Sequence, residues 1–505
     1  MFIEPSTNIR ILKDVPLDNT YNNTIYFANA TNQYNYFVGL TKHNLIGYTY
    51  QRVERGRARV GIKAEALYDC NYMMFQNSSF GSKWFYAFIT SVEYVNNAVS
   101  EITFEIDVMQ TWAFDYTLKE CFVEREHSVT DKIGENLVPE KLELGEYVTS
   151  EMSSDSQLRD YKIVIAATVE EDGYKVTGGH YAGIYSGLYL NVFDDYNEAN
   201  EWIEDVTSKG KSDGIVSVFM MPSAFITSVG GNAKSYEIIK PKKLTNISGY
   251  IPKNKKLFTH PYNFLYVSNL EGNSAVFPYE YFATPDTCNF TIAGDFSCNP
   301  SVLLYPSKYK GVETNFDEMM CISGFPQCAW NTDAFKAWLA QSSVSSLLGS
   351  NVVGGVAVSV AAGMGVAGVL PIMGAVALST SIAGTLGQVY EHAIQPRQAR
   401  GTQGNSSQVA LGVKKFMFMH KQITKEYAQI IDDYFSMYGY ATHRVKIPNR
   451  SSRPYWNFVK TKGCNVVGSL PADDISKICK IYDTGITFWK QGSQVGNYSL
   501  NNVPT

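Results

Sequence analysis

The sequence predicts a β-dominated α+β fold carrying one long apolar loop, and three observations lead to it. Residues Glu101 to Val108 alternate Ile102, Phe104, Ile106 and Val108 with Glu101, Thr103, Glu105 and Asp107, the period of a strand with one wet face. Aromatic residues make up 13% of the 505, with 34 Tyr and 27 Phe, which suits pleated, half-buried strands and interfaces better than helical bundles. Between Lys336 and Glu391 the chain then runs 54 residues, Ala337 to Tyr390, without a single Asp, Glu, Lys or Arg.

The first 130 residues read as antiparallel β. Trp84 to Val95 precedes the alternating strand and meets it across Asn96 and Asn97, a hairpin turn. Arg55, Arg57 and Arg59 alternate on one strand face, with Arg52 and Lys63 nearby. Such a row guards a sheet edge against pairing with another chain; phosphate or cell-surface contact is the functional alternative. Glu120 to Ser150 is charged and punctuated by Gly and Pro, the composition of a linker or extended arm. Within it, Glu124, Glu126 and His127 read as a solvated face.

From Tyr161 to about Pro306 the period changes. Ile163 to Val169 and Tyr189 to Phe193 are buried-strand runs. A helix follows with Ala199, Trp202, Ile203 and Val206 on its apolar side, opened by Asp195 with Glu198 three residues on and closed near Gly210. Strands resume at Ile215 to Met220, Asn263 to Val267, Asn289 to Ala293 and Val302 to Tyr305, which makes this a small mixed α/β middle domain. Phe335, Trp338 and Leu339 lead into the apolar loop as a short helix, and Pro396 to Gln408 leaves it as a flexible polar segment. A strand is expected at Phe416 to His420, then a helix with Tyr427, Ile430, Ile431, Tyr434 and Tyr438 on one face and Gly439 as its stop. The last helix starts near Pro471, has Asp473 and Asp474 in its first turn, and buries Ile475, Ile478, Cys479 and Tyr482 before Gly485. Three domains follow from these shifts: residues 1–149, 150–310 and 311–505, the last containing the loop at 337–400.

The loop divides at Pro371 into Val352 to Leu370 and Ile372 to Tyr390, nineteen residues each. As helices, at about 1.5 Å per residue, each half would be about 28 Å long against a bilayer core of about 30 Å, so two spans joined at a proline is the simplest reading. Gly355, Ser359, Gly363 and Ala367 fall four apart, as do Ala375, Ser379, Ala383 and Gly387. That spacing puts each set on one helix face, where small side chains let backbones pack inside lipid, although any Gly/Ala/Ser-rich apolar stretch yields similar ladders. Val352, Val353, Val356, Val358, Val360, Val366, Val369, Leu370, Ile372, Met373, Val376, Leu378, Ile382 and Leu386 are then the residues expected to meet acyl chains. Their moderate apolarity suits a segment held in a soluble protein before it enters a membrane.

Little in the chain points to catalysis. Gly363-Met-Gly365-Val-Ala-Gly368 spells the dinucleotide fingerprint, but it lies in a stretch with no polar face, where the motif's βαβ context is lacking. H-E-x-x-H, G-x-S-x-G and phosphate-loop motifs do not occur, and the seven His are spread singly from His43 to His443, so no metal, no cofactor and no enzymatic activity are expected. A carboxylate pair for glycoside cleavage would have to meet in space. The formal charge of -5 gives no basic signature for tight duplex binding. Glu4 and Pro5 stand where a secretory signal needs basic and apolar residues, which predicts a cytosolic product unprocessed at that end. Its eight cysteines, with no C-x-x-C pair, are expected as buried free thiols, Cys321 and Cys328 being the one close pair to test as a bridge.

Several stretches carry a resemblance: WFYAFITSVEYVNNAVSEITFEIDVMQTW (Trp84 to Trp112), CFVEREH (Cys121 to His127), GENLVPEKLELGEYV (Gly134 to Val148), YWNFVKTKGCNVVG (Tyr455 to Gly468), PADD (Pro471 to Asp474) and GITFW (Gly485 to Trp489). They resemble the distal tail-tube, or tail-knob, proteins of short-tailed phages that infect Gram-positive bacteria. The middle domain carries no stretch that matches. The resemblance implies tail-tube-like β-domains assembled as a homohexamer at the tail tip, docked on the proximal tail-tube protein, with phage DNA passing through the lumen without sequence recognition. It also implies that the apolar loops plug the tube and then enter the host cytoplasmic membrane as a pore. Two other readings stand beside it: an adsorption or baseplate module whose insert is only structural, and a tail-borne cell-wall hydrolase.

Overall fold

A computed structural model describes residues 7–48, 56–77, 81, 83–155, 157–158, 160–169, 176–177, 180–181, 184–185, 189–211, 214–225, 235–295, 301–323, 327–329 and 414–504. The chain groups into two units that cut across the three segments expected from sequence. One unit comprises Met1–Glu146, Asn246–Thr259 and Ile423–Thr505; the other comprises Tyr147–Thr245 and His260–Gln422.

In the first unit a six-stranded antiparallel sheet runs in the order Thr41–Tyr48, Thr7–Lys13, Cys70–Asn77, Trp84–Asn96, Val99–Ile106, Arg57–Val60. Strand alternation divides its side chains between two cores: Ile9, Ile11, Met73, Ala87, Ile102 and Phe104 on one side, and Leu12, Tyr72, Met74, Tyr86 and Phe88 on the other. The predicted hairpin forms, with Ala87 opposite Ile106 and Val92 opposite Ile102. Its alternation stops at Asp107, read from sequence as a wet residue but 1% exposed. The Asp107 carboxylate caps the short helix Val108–Thr111 through the N–H groups of Met109 and Gln110, and it accepts from Tyr72 Oη at 2.8 Å. Arg57–Val60 is an edge strand, and Arg57 and Arg59 both reach the Glu101 carboxylate, at 3.2 and 2.8 Å. Arg52 and Arg55 lie outside the described residues.

A second sheet draws strands from both ends of the chain, in the order Asn23–Ile25, Ile486–Trp489, Trp456–Lys462, Cys121–Glu126, Tyr440–Lys446. Cys121–Glu126 thus lies inside a sheet, where sequence suggested an arm. The solvated-face reading of Glu126 and His127 is corrected as well: they are 3% and 2% exposed. Glu126 accepts from Lys446 Nζ and from the Asn449 N–H, while the half-exposed Glu124 pairs with Lys460 at 3.1 Å.

Helix Lys425–Tyr438 forms where expected but turned about its axis. It buries Ala428, Ile431, Asp432 and Phe435, and leaves Ile430 64% exposed. The cause is Asp432, whose carboxylate accepts from Tyr250 Oη at 2.7 Å, the Lys253 N–H at 2.8 Å, the Asn254 N–H at 2.9 Å and Asn254 Nδ2 at 2.8 Å. A carboxylate so fully paired can be buried, and it binds Asn246–Thr259 into this unit. Helix Ala472–Thr484 follows Pro471 and buries Ile478, Ile481 and Tyr482, with Ile475 and Cys479 packed beside them.

The second unit holds a sheet in the order Val176–Thr177, Tyr189–Phe193, Tyr161–Ala167, Ile215–Pro222, Gln327–Ala329. Helix Tyr196–Ser208 covers it through Ala199, Trp202, Ile203 and Val206. As the sequence indicated, Asp195 caps the helix by accepting from the N–H groups of Asn197 and Glu198. Two further sheets follow: Tyr147–Ser154, Met417–Ile423, Asn263–Ser268, Ser274–Pro278, and Ser235–Pro241, Thr287–Asp295, Ser301–Tyr309, Val312–Thr314, with Met320–Ile322 paired to Ser301–Tyr309. They share one core, in which Phe290 meets Phe277 and Phe418 with ring centroids 5.0 and 5.5 Å apart.

Candidate functional site at the neck of the apolar loop

All the loop residues singled out above lie outside the described residues: those expected to face lipid from Val352 to Leu386, the small-residue ladders from Gly355 to Gly387, and Pro371. So do Phe335, Trp338, Leu339, the exit at 396–408 and the Gly363–Gly368 motif. What the second unit does present is the described chain on either side of that stretch, up to Ala329 before it and from Lys414 after it.

That place is built on the turn between Asn263–Ser268 and Ser274–Pro278. Leu270 at φ 58° and Gly272 at φ 105° bend it through the left-handed region, and Asn269 Oδ1 stabilises the bend by accepting from the N–H groups of Glu271 (2.9 Å) and Asn273 (3.0 Å). The turn binds residues from both sides of the loop. On the outgoing side, Asn269 Nδ2 donates to Cys321 O at 2.8 Å. On the returning side, Lys414 Nζ pairs with the Glu271 carboxylate and donates to Ser323 O at 2.5 Å. Ser323 and Lys414, ninety-one positions apart in sequence, are therefore in direct contact.

Sheet pairing reinforces both sides. Gln327–Ala329 lies antiparallel to Ile215–Pro222, with Cys328 opposite Val218. Met417–Ile423 lies antiparallel to Asn263–Ser268, with Met417 opposite Ser268 and His420 opposite Leu265. Phe416 and Phe418 are fully buried. His420 Nδ1 meets Tyr279 Oη at 2.5 Å, and burial pushes the imidazole down to about 4, so it is neutral at physiological pH. Burial pushes the Cys321 thiol up, and that cysteine is free.

Sequence reasoning missed this neck. Asn269-Leu-Glu-Gly-Asn273 is legible as a turn, but nothing local joins it to Lys414. Among the described residues no helix is long and apolar enough to cross a membrane, and no group of three or more His, Cys, Asp or Glu could hold a metal ion.

Comparison with known proteins agrees with this architecture. The family model described as Bacillus phage phi29, tail knob protein gp9, C-terminal domain, matches residues 227–503, a stretch that includes the neck and much of the segment for which sequence alone suggested no match. The model of the caudoviral major tail protein N-terminus matches residues 5–117, which contain the six-stranded sheet. Tail knob protein gp9 of Bacillus phage B103 and that of Bacillus phage phi29 are each 26% identical to this chain, covering 98% of it and 98% of the relative. The solved structure of the bacteriophage C1 tail knob protein, gp12, superposes with a TM-score of 0.62 at 16% identity, covering 99% of this chain and 100% of that one, so the β-dominated fold is shared. These names describe structural tail components and not enzymes. The chain belongs to the phage tail knob protein gp9 family.

Proposed function

We propose that this tail knob protein assembles as a homohexamer around a lumen, that its Ala337–Tyr390 loops plug that lumen, and that they later insert into the host cytoplasmic membrane to form a pore for the genome. The observation that carries this reading is the charge-free run of 54 residues in a tail component otherwise rich in polar residues. Six such loops crowded into a tube would bury one another, with apolar burial worth about 25 cal/mol per Å². In a bilayer they would bury themselves in lipid instead. Leaving the tube wall exposes apolar surface that only lipid can cover again, so exit is expected at the membrane and not before it. Each loop would turn at Pro371, pack along Gly355, Ser359, Gly363 and Ala367 and along Ala375, Ser379, Ala383 and Gly387, and present its Val, Leu, Ile and Met side chains to acyl chains. The proximal tail-tube protein and DNA crossing the lumen without sequence readout complete the proposed partners.

The test is deletion of residues 352–390, followed by measurement of dye release from liposomes and imaging of the particle. A folded hexamer with an open channel and no dye release is the expected result. Undiminished release from the deletion variant would sink the pore. A variant that cannot fold would instead mark the insert as part of a structural core.

A further inference from the structure

Eight cysteines scattered without a C-x-x-C pair read as isolated thiols, yet the fold gathers three of them in the first unit. Cys121 opens the strand Cys121–Glu126, Cys464 lies in the turn between Trp456–Lys462 and Val466–Gly468, and Cys479 lies in helix Ala472–Thr484. Backbone contacts set this placement. Val466–Gly468 pairs with Tyr116–Leu118, and the Lys119 N–H donates to Asn465 O at 2.9 Å, which carries the turn to Cys121. The Asp483 carboxylate accepts from the N–H groups of Cys464 at 3.0 Å and Gly463 at 3.2 Å, and Asp483 follows Cys479 by one helical turn on the same face.

Cys464 and Cys479 pack against the same buried core, which includes Val466, Ile478 and Tyr482, and each thiol influences the ionisation of the other. The N–H groups of Val466 and Asn465 donate to Cys479 Sγ and Cys121 Sγ respectively. Cys121 is buried, whereas Cys464 and Cys479 are half-buried next to the exposed Gly463 and Asn465. A small solute therefore has its best access to the second pair.

We propose that Cys464 and Cys479 form a redox-sensitive dithiol that closes to a disulfide once the protein leaves a reducing compartment, with a small-molecule disulfide as oxidant. The Cys479 thiolate, its proton released to water, attacks one sulfur of the small disulfide and expels one small thiolate. Cys464 then gives up its proton, attacks the Cys479 sulfur of the mixed disulfide and expels the second. Two protein thiols are oxidised, one small disulfide is reduced to two thiols, and no further reagent is required. The order follows from the surroundings: the Val466 N–H steadies charge on Cys479, while burial and then the neighbouring Cys479 and Cys121 push Cys464 up. Burial raises Cys479 too, so closure is slow. Once made, the link ties the turn to the C-terminal helix and restricts the unfolded chain.

The experiment is to incubate the full-length protein with oxidised glutathione at mildly alkaline pH and map its peptides by mass spectrometry without reduction. A Cys464–Cys479 linked peptide is expected, absent from the Cys464→Ser and Cys479→Ser variants and retained in Cys121→Ser. The oxidised wild type should also melt several degrees higher, and dithiothreitol should reverse the gain. Glutathione adducts without the link, a bridge through Cys121, or unmodified thiols after prolonged incubation would each overturn the proposal. The wild-type map decides even where a serine variant folds poorly.

Discussion

His127 shows how completely burial can reset a single group. Its Nε2–H donates to Ser436 O at 3.1 Å and its Nδ1 accepts from the Phe458 N–H at 2.8 Å, a pair of contacts made by neutral imidazole protonated on Nε2. Burial, with Arg453 next in effect, pushes its pKa down to about 3. As pH falls the unfolded chain takes up the proton first, near its ordinary value of about 6.5, so the stability this residue supplies is complete above about pH 6.5 and lost progressively toward about pH 3. His420, pushed down to about 4, acts with the same sign in the other unit. Denaturant unfolding followed at a series of pH values should show the first unit weakening on acidification, and His127→Asn should flatten that slope while lowering stability at neutral pH. Lys256 offers a second test. At 3% exposure it donates to Glu140 Oε1 at 2.7 Å and Val138 O at 2.8 Å, and the other Glu140 oxygen meets Arg125. Lys256→Met breaks a buried pair, so a loss of about 3–5 kcal/mol is expected in the urea unfolding free energy. Glu126 and His127 were hard to read from sequence for one reason. A charge on a strand looks solvated until the strands on both sides of it are known.

At the scale of elements, local signals served well wherever the element's own residues decide its shape. The hairpin at Asn96, the Asp195 cap and the strands Tyr189–Phe193 and Ile215–Pro222 follow from period and turn chemistry within a few residues. The rotated face of Lys425–Tyr438 follows instead from donors about 180 positions away, which no helical wheel contains. The stop of that helix was legible, and its geometry is stricter than a stop requires. Gly439 has φ 66°, and a Cβ there would collide with the backbone of Glu126 and His127 in the neighbouring strand. Gly439→Ala therefore combines left-handed strain with a backbone clash. It should cost about 3 kcal/mol or more, read as a lower melting temperature, whereas Gly249→Ala, with φ 84° and open space around it, should cost less.

For the whole molecule, composition marks out the charge-free run of Ala337 to Tyr390, which lies outside the described residues, but the topology of the surrounding sheets is invisible to periodicity. The first unit takes two strands of its second sheet, Asn23–Ile25 and Cys121–Glu126, from the beginning of the chain and three from the end. The second sheet therefore cannot form in a fragment of residues 1–149 alone, and the NMR signals of Cys121–Glu126 are expected to become dispersed only when fragments spanning residues 246–259 and 423–505 are supplied. The neck has a consequence for engineering. A Gly- and Ser-rich linker or a foreign domain placed after Ala329 and before Lys414 keeps the strand Gln327–Ala329 in its sheet and is held by strand pairing on both sides, through Ile215–Pro222 before it and Asn263–Ser268 after it.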